Sequence, residues 1–178
     1  AIPSFTKTTD FIIQPPVTNA SGKNVSDVDV LPGGSTAVVL NTFAYVGNSY
    51  VYTYSLKVFD STGALKTDVN LSSLMDTYYQ MINVNMLALS NGYILITYNK
   101  SDSGANNLQL GTVRENNPNA YFMVLNQSGQ KVVGQTQINT YSAASTPALT
   151  RFISITELSD GNVAFSWQRN ANISTATR

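Results

Sequence analysis

Few residues in this chain could do chemistry. Asp27 and Asp29 stand two apart, so on a strand they share a face, a spacing that suits paired carboxylates or two calcium ligands. A calcium loop needs further oxygen ligands at set intervals around a glycine turn, and none surrounds this pair, so the expected reading is a solvated or loop-edge pair. Asp76, Glu115 and Glu157 complete the set from which a two-carboxylate glycosidase would be drawn, and nothing singles out two of the five. The 178 residues contain no histidine and no cysteine. That excludes a Ser-His-Asp or Cys-His nucleophile, an imidazole metal site, a thiolate zinc site and a disulfide framework. The chain is therefore expected not to be an enzyme, with no metal and no cofactor.

Two further sets concern binding and modification. Tyr50, Tyr52 and Tyr54 alternate with Val51, Thr53 and Ser55, which places the three rings in a row on one face of a strand. An exposed row of that kind stacks on sugar rings, whereas a covered one is core, and strands favour aromatics in either case. Six Asn-x-Ser/Thr sequons occur, at Asn19, Asn24, Asn70, Asn99, Asn126 and Asn172. Asn24, Asn99 and Asn126 fall in or near expected loops and are the candidates for N-glycosylation. Gly33-Gly34 reads as a hairpin turn with no helix behind it to hold a phosphate.

Charge restricts the partners. Ten acidic residues balance ten basic ones and only 11 % of residues are charged. This removes the electrostatic basis for a nucleic-acid or anionic-membrane partner, and a chain without net charge tends to associate. No apolar run approaches the ~20 residues that span a bilayer. A chain rich in Asn, Ser, Thr, Gly and Tyr has the composition of a secreted or cell-surface protein, and Ala1-Ile2-Pro3-Ser4 would suit a processed N-terminus.

The elements that carry these residues repeat. LPGGSTAVVL from Leu31, LSNGYILITY from Leu89 and LSDGNVAFSW from Leu158 each place a leucine and a glycine-bearing turn before a strand-like run. A threonine lies 22 residues before each leucine (Thr9, Thr67, Thr136), an apolar residue 20 before (Phe11, Val69, Ile138) and another three before (Val28, Met86, Ile155). The period of two in the runs predicts strands, and glycine turns between them predict hairpins. The expected fold is one all-β domain over 1–178, built from three pseudo-repeats of a four-stranded antiparallel a-b-c-d unit. The units span about 9–59, 64–126 and 130–168, with an arm at 1–17 and a tail at 169–178. The best helical candidate, 72–80, is one turn at most. The irregular stretch 100–119 reads as an insertion in which Leu108, Leu110 and Val113 suit a short extra strand.

The L-S-[DN]-G hairpin, followed by a strand ending in Tyr98 or Trp167, resembles the β-repeats of large secreted and surface proteins, which are similar to propeller blades. That resemblance implies an extracellular setting. Fewer than three full blades are too few to close a propeller. The count of strands is a-b-c-d, a-b-c-d, a-b-c, so one d strand is lacking at the C-terminal end and the first a strand lacks its d partner. This organisation resembles the donor-strand complementation of pilin-like fibre subunits. It implies a structural subunit that donates its apolar N-terminal strand, carrying Ile2, Phe5, Phe11, Ile12 and Ile13, to a neighbouring copy and so builds an extracellular filament. The same strand closing its own domain would instead leave a carbohydrate-binding or adhesin module with glycans as partners.

Overall fold

The computed structural model describes residues 22–46, 49–75, 81–101, 118–139 and 149–170. They form ten strands and one 3-10 turn, in antiparallel sheets of four, four and two strands. Sheet A is a meander of β1 (Gly22–Val30), β2 (Thr36–Val46), β3 (Ser49–Phe59) and β4 (Leu65–Asn70). Sheet B repeats that order with β5 (Met81–Ala88), β6 (Ile94–Ser101), β7 (Pro118–Leu125) and β8 (Lys131–Gln137). Sheet C pairs β9 (Leu149–Glu157) with β10 (Val163–Asn170). The 3-10 turn, Leu71–Leu74, leaves β4 with the Asn70 side chain accepting from Ser72 N–H.

Five hairpins share one turn. The first residue donates its N–H to the carbonyl four residues on, as in Leu89 N to Tyr93 O at 2.8 Å, and the glycine N–H returns to the first carbonyl, as in Gly92 N to Leu89 O at 2.8 Å. Leu31, Asp60, Asn126 and Leu158 open turns with the same two bonds. In four of them this is a type I turn, whereas Gly33 at φ 90° makes the Leu31 turn type II; each is closed by a bulge residue in the left-handed region, where Gly34, Gly63, Gly92, Gly129 and Gly161 all sit, with φ between 79 and 85°. Asp60 and Asn126 add an identical brace. The Oδ1 of Asp60 accepts from Thr62 N, Thr62 Oγ1 and Ala64 N, and that of Asn126 from Ser128 N, Ser128 Oγ and Gln130 N. The Thr62 hydroxyl first, and then Lys66, hold the Asp60 carboxyl well below the usual carboxylate range.

The sheets stack as layers. Ala37, Val39, Leu56 and Val58 of sheet A close the main core against Met86, Ile94, Ile96, Met123 and Leu125 of sheet B. The opposite face of sheet B, with Leu89, Leu95 and Val124, receives Ile155, Val163 and Phe165 of sheet C. The Phe122 and Phe165 rings lie 5.4 Å apart across that seam. Sheet B is therefore covered on both faces, which is why every residue from Ile94 to Lys100 is buried.

The expected a-b-c-d grouping is corrected. Each four-stranded sheet runs b-c-d-a, because the Asp60 and Asn126 turns fold the a strand back onto the d strand before it. β1 begins at Gly22, so Asn24, expected in or near a loop, lies within a strand. The Phe43 ring lies over Gly22, its cross-strand partner, and the ladder then absorbs Ser26 as a bulge. The donor-strand residues Ile2, Phe5, Phe11, Ile12 and Ile13 lie outside the described residues, as do Leu108, Leu110 and Val113.

Candidate functional site

The carboxylates sit along the sheet edges. β5 is the edge strand of sheet B, and an edge strand turns half of its N–H groups away from its partner. Asp27 and Asp29 of β1 supply the acceptors: Asp27 Oδ2 takes the Met86 N–H at 2.8 Å and Asp29 Oδ2 the Ala88 N–H at 2.8 Å. Their second oxygens hold the N–H groups of Val28 and Val30. The pair expected in solvent is thus half-buried and joins sheet A to sheet B. A similar link occurs one sheet on, where Asn85 Nδ2 donates to the Ile153 carbonyl of β9 at 3.0 Å. Glu157 reaches back from β9 to the Ser90 N–H and hydroxyl at 2.7 and 2.8 Å. Asp76 and Glu115 lie outside the described residues. No group of three acidic, His or Cys side chains suited to a metal occurs among the described residues.

Two of the three tyrosines lie against the main core. Tyr54 is 5 % exposed, and its hydroxyl accepts from Asn41 Nδ2 at 3.2 Å. Tyr52 is half-buried against the main core, with its ring 6.2 Å from Phe43. Tyr54 offers no open ring face, which corrects its place in the expected stacking surface, while Tyr52 keeps part of its surface exposed. The side chain of Tyr50 is not among those described. The reason is the register: the face that carries Tyr52 and Tyr54 is the one that carries Leu56 and Val58 onto sheet B. Burial first, and then the neighbouring Tyr52, push the Tyr54 phenol up to about 12 from 10.0. The unfolded chain therefore releases this proton near pH 10 while the folded chain keeps it. The contribution of this group to stability is fully present below pH 10 and is lost, by roughly 2–3 kcal/mol, as pH rises from 10 to 12. Denaturant midpoints for the intact chain and Tyr54→Phe measured between pH 8 and 12 check this, and the decline should be shallower in the variant.

The sequons divide by burial. Asn24 is exposed on β1. Asn126 lies in a turn, as expected, half-buried and with both ends of its amide hydrogen-bonded within that turn. Asn99 is corrected: it is 0 % exposed on β6, with Oδ1 accepting from Asn83 Nδ2 at 3.1 Å. Asn99 belongs to an amide cluster at one end of sheet B in which Asn99 and Asn139 are buried. Asn139 there accepts from Ala120 N–H at 2.9 Å and donates to Asn119 Oδ1 at 2.9 Å, and Asn83 adopts φ 50° beside the β5 bulge. Sequence reasoning missed this cluster. Its only signal is the positive-φ tolerance of asparagine next to an irregular strand.

Among the described residues, a surface stays open at each end of the stack. Val25, Val28 and Val30 on β1 are exposed on the face of sheet A that points away from sheet B. On the same face Val38, Leu40 and Phe59 are buried. At the other end of the stack Ser154, Thr156 and Ser166 are exposed, and Trp167 stands 42 % exposed at the β10 bulge. It is the only tryptophan in the chain. No helix among the described residues is long and apolar enough to cross a membrane.

No family model, no curated protein and no solved structure matches this chain. Its own geometry carries the functional reading.

Proposed function

We infer that this chain is a secreted structural subunit that assembles head to tail with copies of itself into an extracellular filament or surface appendage. In this reading sheets A, B and C are successive units of one repeat, each entered through its leucine turn. The observation that carries it is the contrast in sheet size: sheets A and B hold four strands, and sheet C holds two among the described residues. The outer side of β10 is the position that β7 occupies beside β6 and β3 beside β2. A strand added there from a neighbouring copy would extend sheet C as β3 and β7 extend the other two, by main-chain hydrogen bonds. The apolar segment carrying Ile2, Phe5, Phe11, Ile12 and Ile13 has the composition of such a strand. The absence of net charge leaves little repulsion between copies.

Electron microscopy of the purified chain beside a variant lacking residues 1–14 tests this. Filaments are expected from the intact chain alone, accompanied by a blue shift of Trp167 emission as the β10 surface is covered. Monodisperse monomers from the intact chain at every concentration would refute it.

A further inference from the structure

We propose that the exposed strip Val25, Val28 and Val30 on β1 docks against the outward face of sheet C, around Ser154, Thr156 and Ser166, in a second copy of this chain. The proposal deepens the assembly reading and rests on it.

Both internal seams are built by one rule. Counted from the turn leucine, the residue four before it points toward the following sheet. Asp27 reaches Met86 of β5, and Asn85 reaches Ile153 of β9. The residue three before it points toward the preceding sheet and is covered by it. Met86 is 5 % exposed against sheet A, and Ile155 is packed against sheet B. The c strands obey the same rule. Ala37 and Val39 of β2 face sheet B, and Leu95 of β6 faces sheet C, while Ile94 and Ile96 face back to sheet A and Val163 and Phe165 back to sheet B.

The two ends of the stack hold the unused halves of that interface. Val28 corresponds to Met86 and Ile155, yet it is 56 % exposed, and Val30 beside it is 63 % exposed. Ser154 corresponds to Asp27 and Asn85, yet it is exposed and bonds to no neighbouring sheet among the described residues. An apolar position that is open at one end, at Val28, and covered at both equivalent places, at Met86 and Ile155, marks an interaction surface. The face that meets it should be the one presenting small side chains, Ala164, Ser154 and Ser166, which allow two sheets to approach closely. Because the two surfaces differ, the contact is heterologous, and each copy added leaves one free surface of each kind. Val38, Leu40 and Phe59 are already closed, so the contact is confined to the β1 side of sheet A.

The test uses the full chain. Val28→Glu should raise the concentration at which the protein assembles by about tenfold or more, read by sedimentation velocity, because a carboxylate is then buried without a partner. Since Val28 is exposed, the melting temperature of the monomer should not change. The chain has no cysteine, so Val28→Cys and Ser154→Cys each provide a single thiol. A short bismaleimide should join the two variants when mixed and should join neither to itself. If the intact chain assembles while Val28→Glu assembles equally well and the mixed thiols do not cross-link, this contact is wrong and assembly uses another surface. If the intact chain stays monomeric throughout, the assembly reading fails and takes this proposal with it. Should Val28→Glu fail to fold, the cross-linking arm decides.

Discussion

Replacing Asp27 and Asp29 together by alanine is expected to destabilise the protein by about 2–4 kcal/mol, although both residues are polar, only half-buried and far from any catalytic arrangement. The cost comes from the other side of the seam. The N–H groups of Met86 and Ala88 accept no substitute from β6, because alternate residues of an edge strand point away from the partner. Sheet A lies over them, so water reaches them poorly once the carboxylates are gone, and an N–H left without an acceptor costs about 1–3 kcal/mol. For a chain of this size that corresponds to a fall in melting temperature of roughly 5–15 °C. Asp27→Asn with Asp29→Asn keeps an amide oxygen at each place and should lose distinctly less. Thermal unfolding of the two double variants measures the difference. Equal losses would mean that the charge of the carboxylates, rather than their acceptor oxygens, joins the sheets.

Gly129→Ala is expected to cost about 2–5 kcal/mol, from two separate causes. Gly129 holds φ at 79°, where a β-carbon is strained, and that part alone amounts to roughly 1–2 kcal/mol. The added carbon would also fall 2.3 Å from Val69 Cγ2 and 3.1 Å from Thr67 Cγ2. Both of these belong to β4 of sheet A, so the β7–β8 turn of sheet B rests directly on it. The Thr67 hydroxyl fixes the approach by donating to the Gln127 carbonyl at 2.8 Å. Gly161 supplies the internal control, because its φ is 82° and nothing lies within 4 Å of the position its β-carbon would take. Gly161→Ala should therefore show the backbone part only. Denaturant unfolding of both variants separates the terms, and a Gly129→Ala loss no larger than that of Gly161→Ala would show that the turn yields to the added methyl.

The turns were legible in the sequence for the reason that Gly129 and Gly161 share. A left-handed bulge residue excludes almost every side chain, so Gly34, Gly63, Gly92, Gly129 and Gly161 stand at fixed distances after Leu31, Asp60, Leu89, Asn126 and Leu158. The strands were legible because alternation at a period of two is a property of each segment alone. The order of strands within each sheet was read one strand out of step, since the repeat begins equally well at any of its elements. Only the Asp60 and Asn126 hairpins, seen in place, assign the a strand to the sheet of the preceding d strand.

The functional residues were much less legible. Tyr52 and Tyr54 share a face by sequence, but whether that face meets solvent or sheet B depends on a neighbour about 25–70 residues further along the chain. Asn99 reads as a loop sequon from its polar surroundings, yet β6 lies between two other sheets and its asparagine is buried within an amide cluster. Asp27 and Asp29 read as a pair because they are two apart, while their acceptor role was fixed by β5, 59 residues away.

By itself, then, the sequence determined what local sterics and periodicity govern: an all-β chain, its hairpin turns and the alternating faces of its strands. Tertiary structure alone decided which faces are covered and which polar groups are bonded. Burial and hydrogen-bond satisfaction belong to pairs of surfaces, and only the stacking of sheets brings those surfaces together.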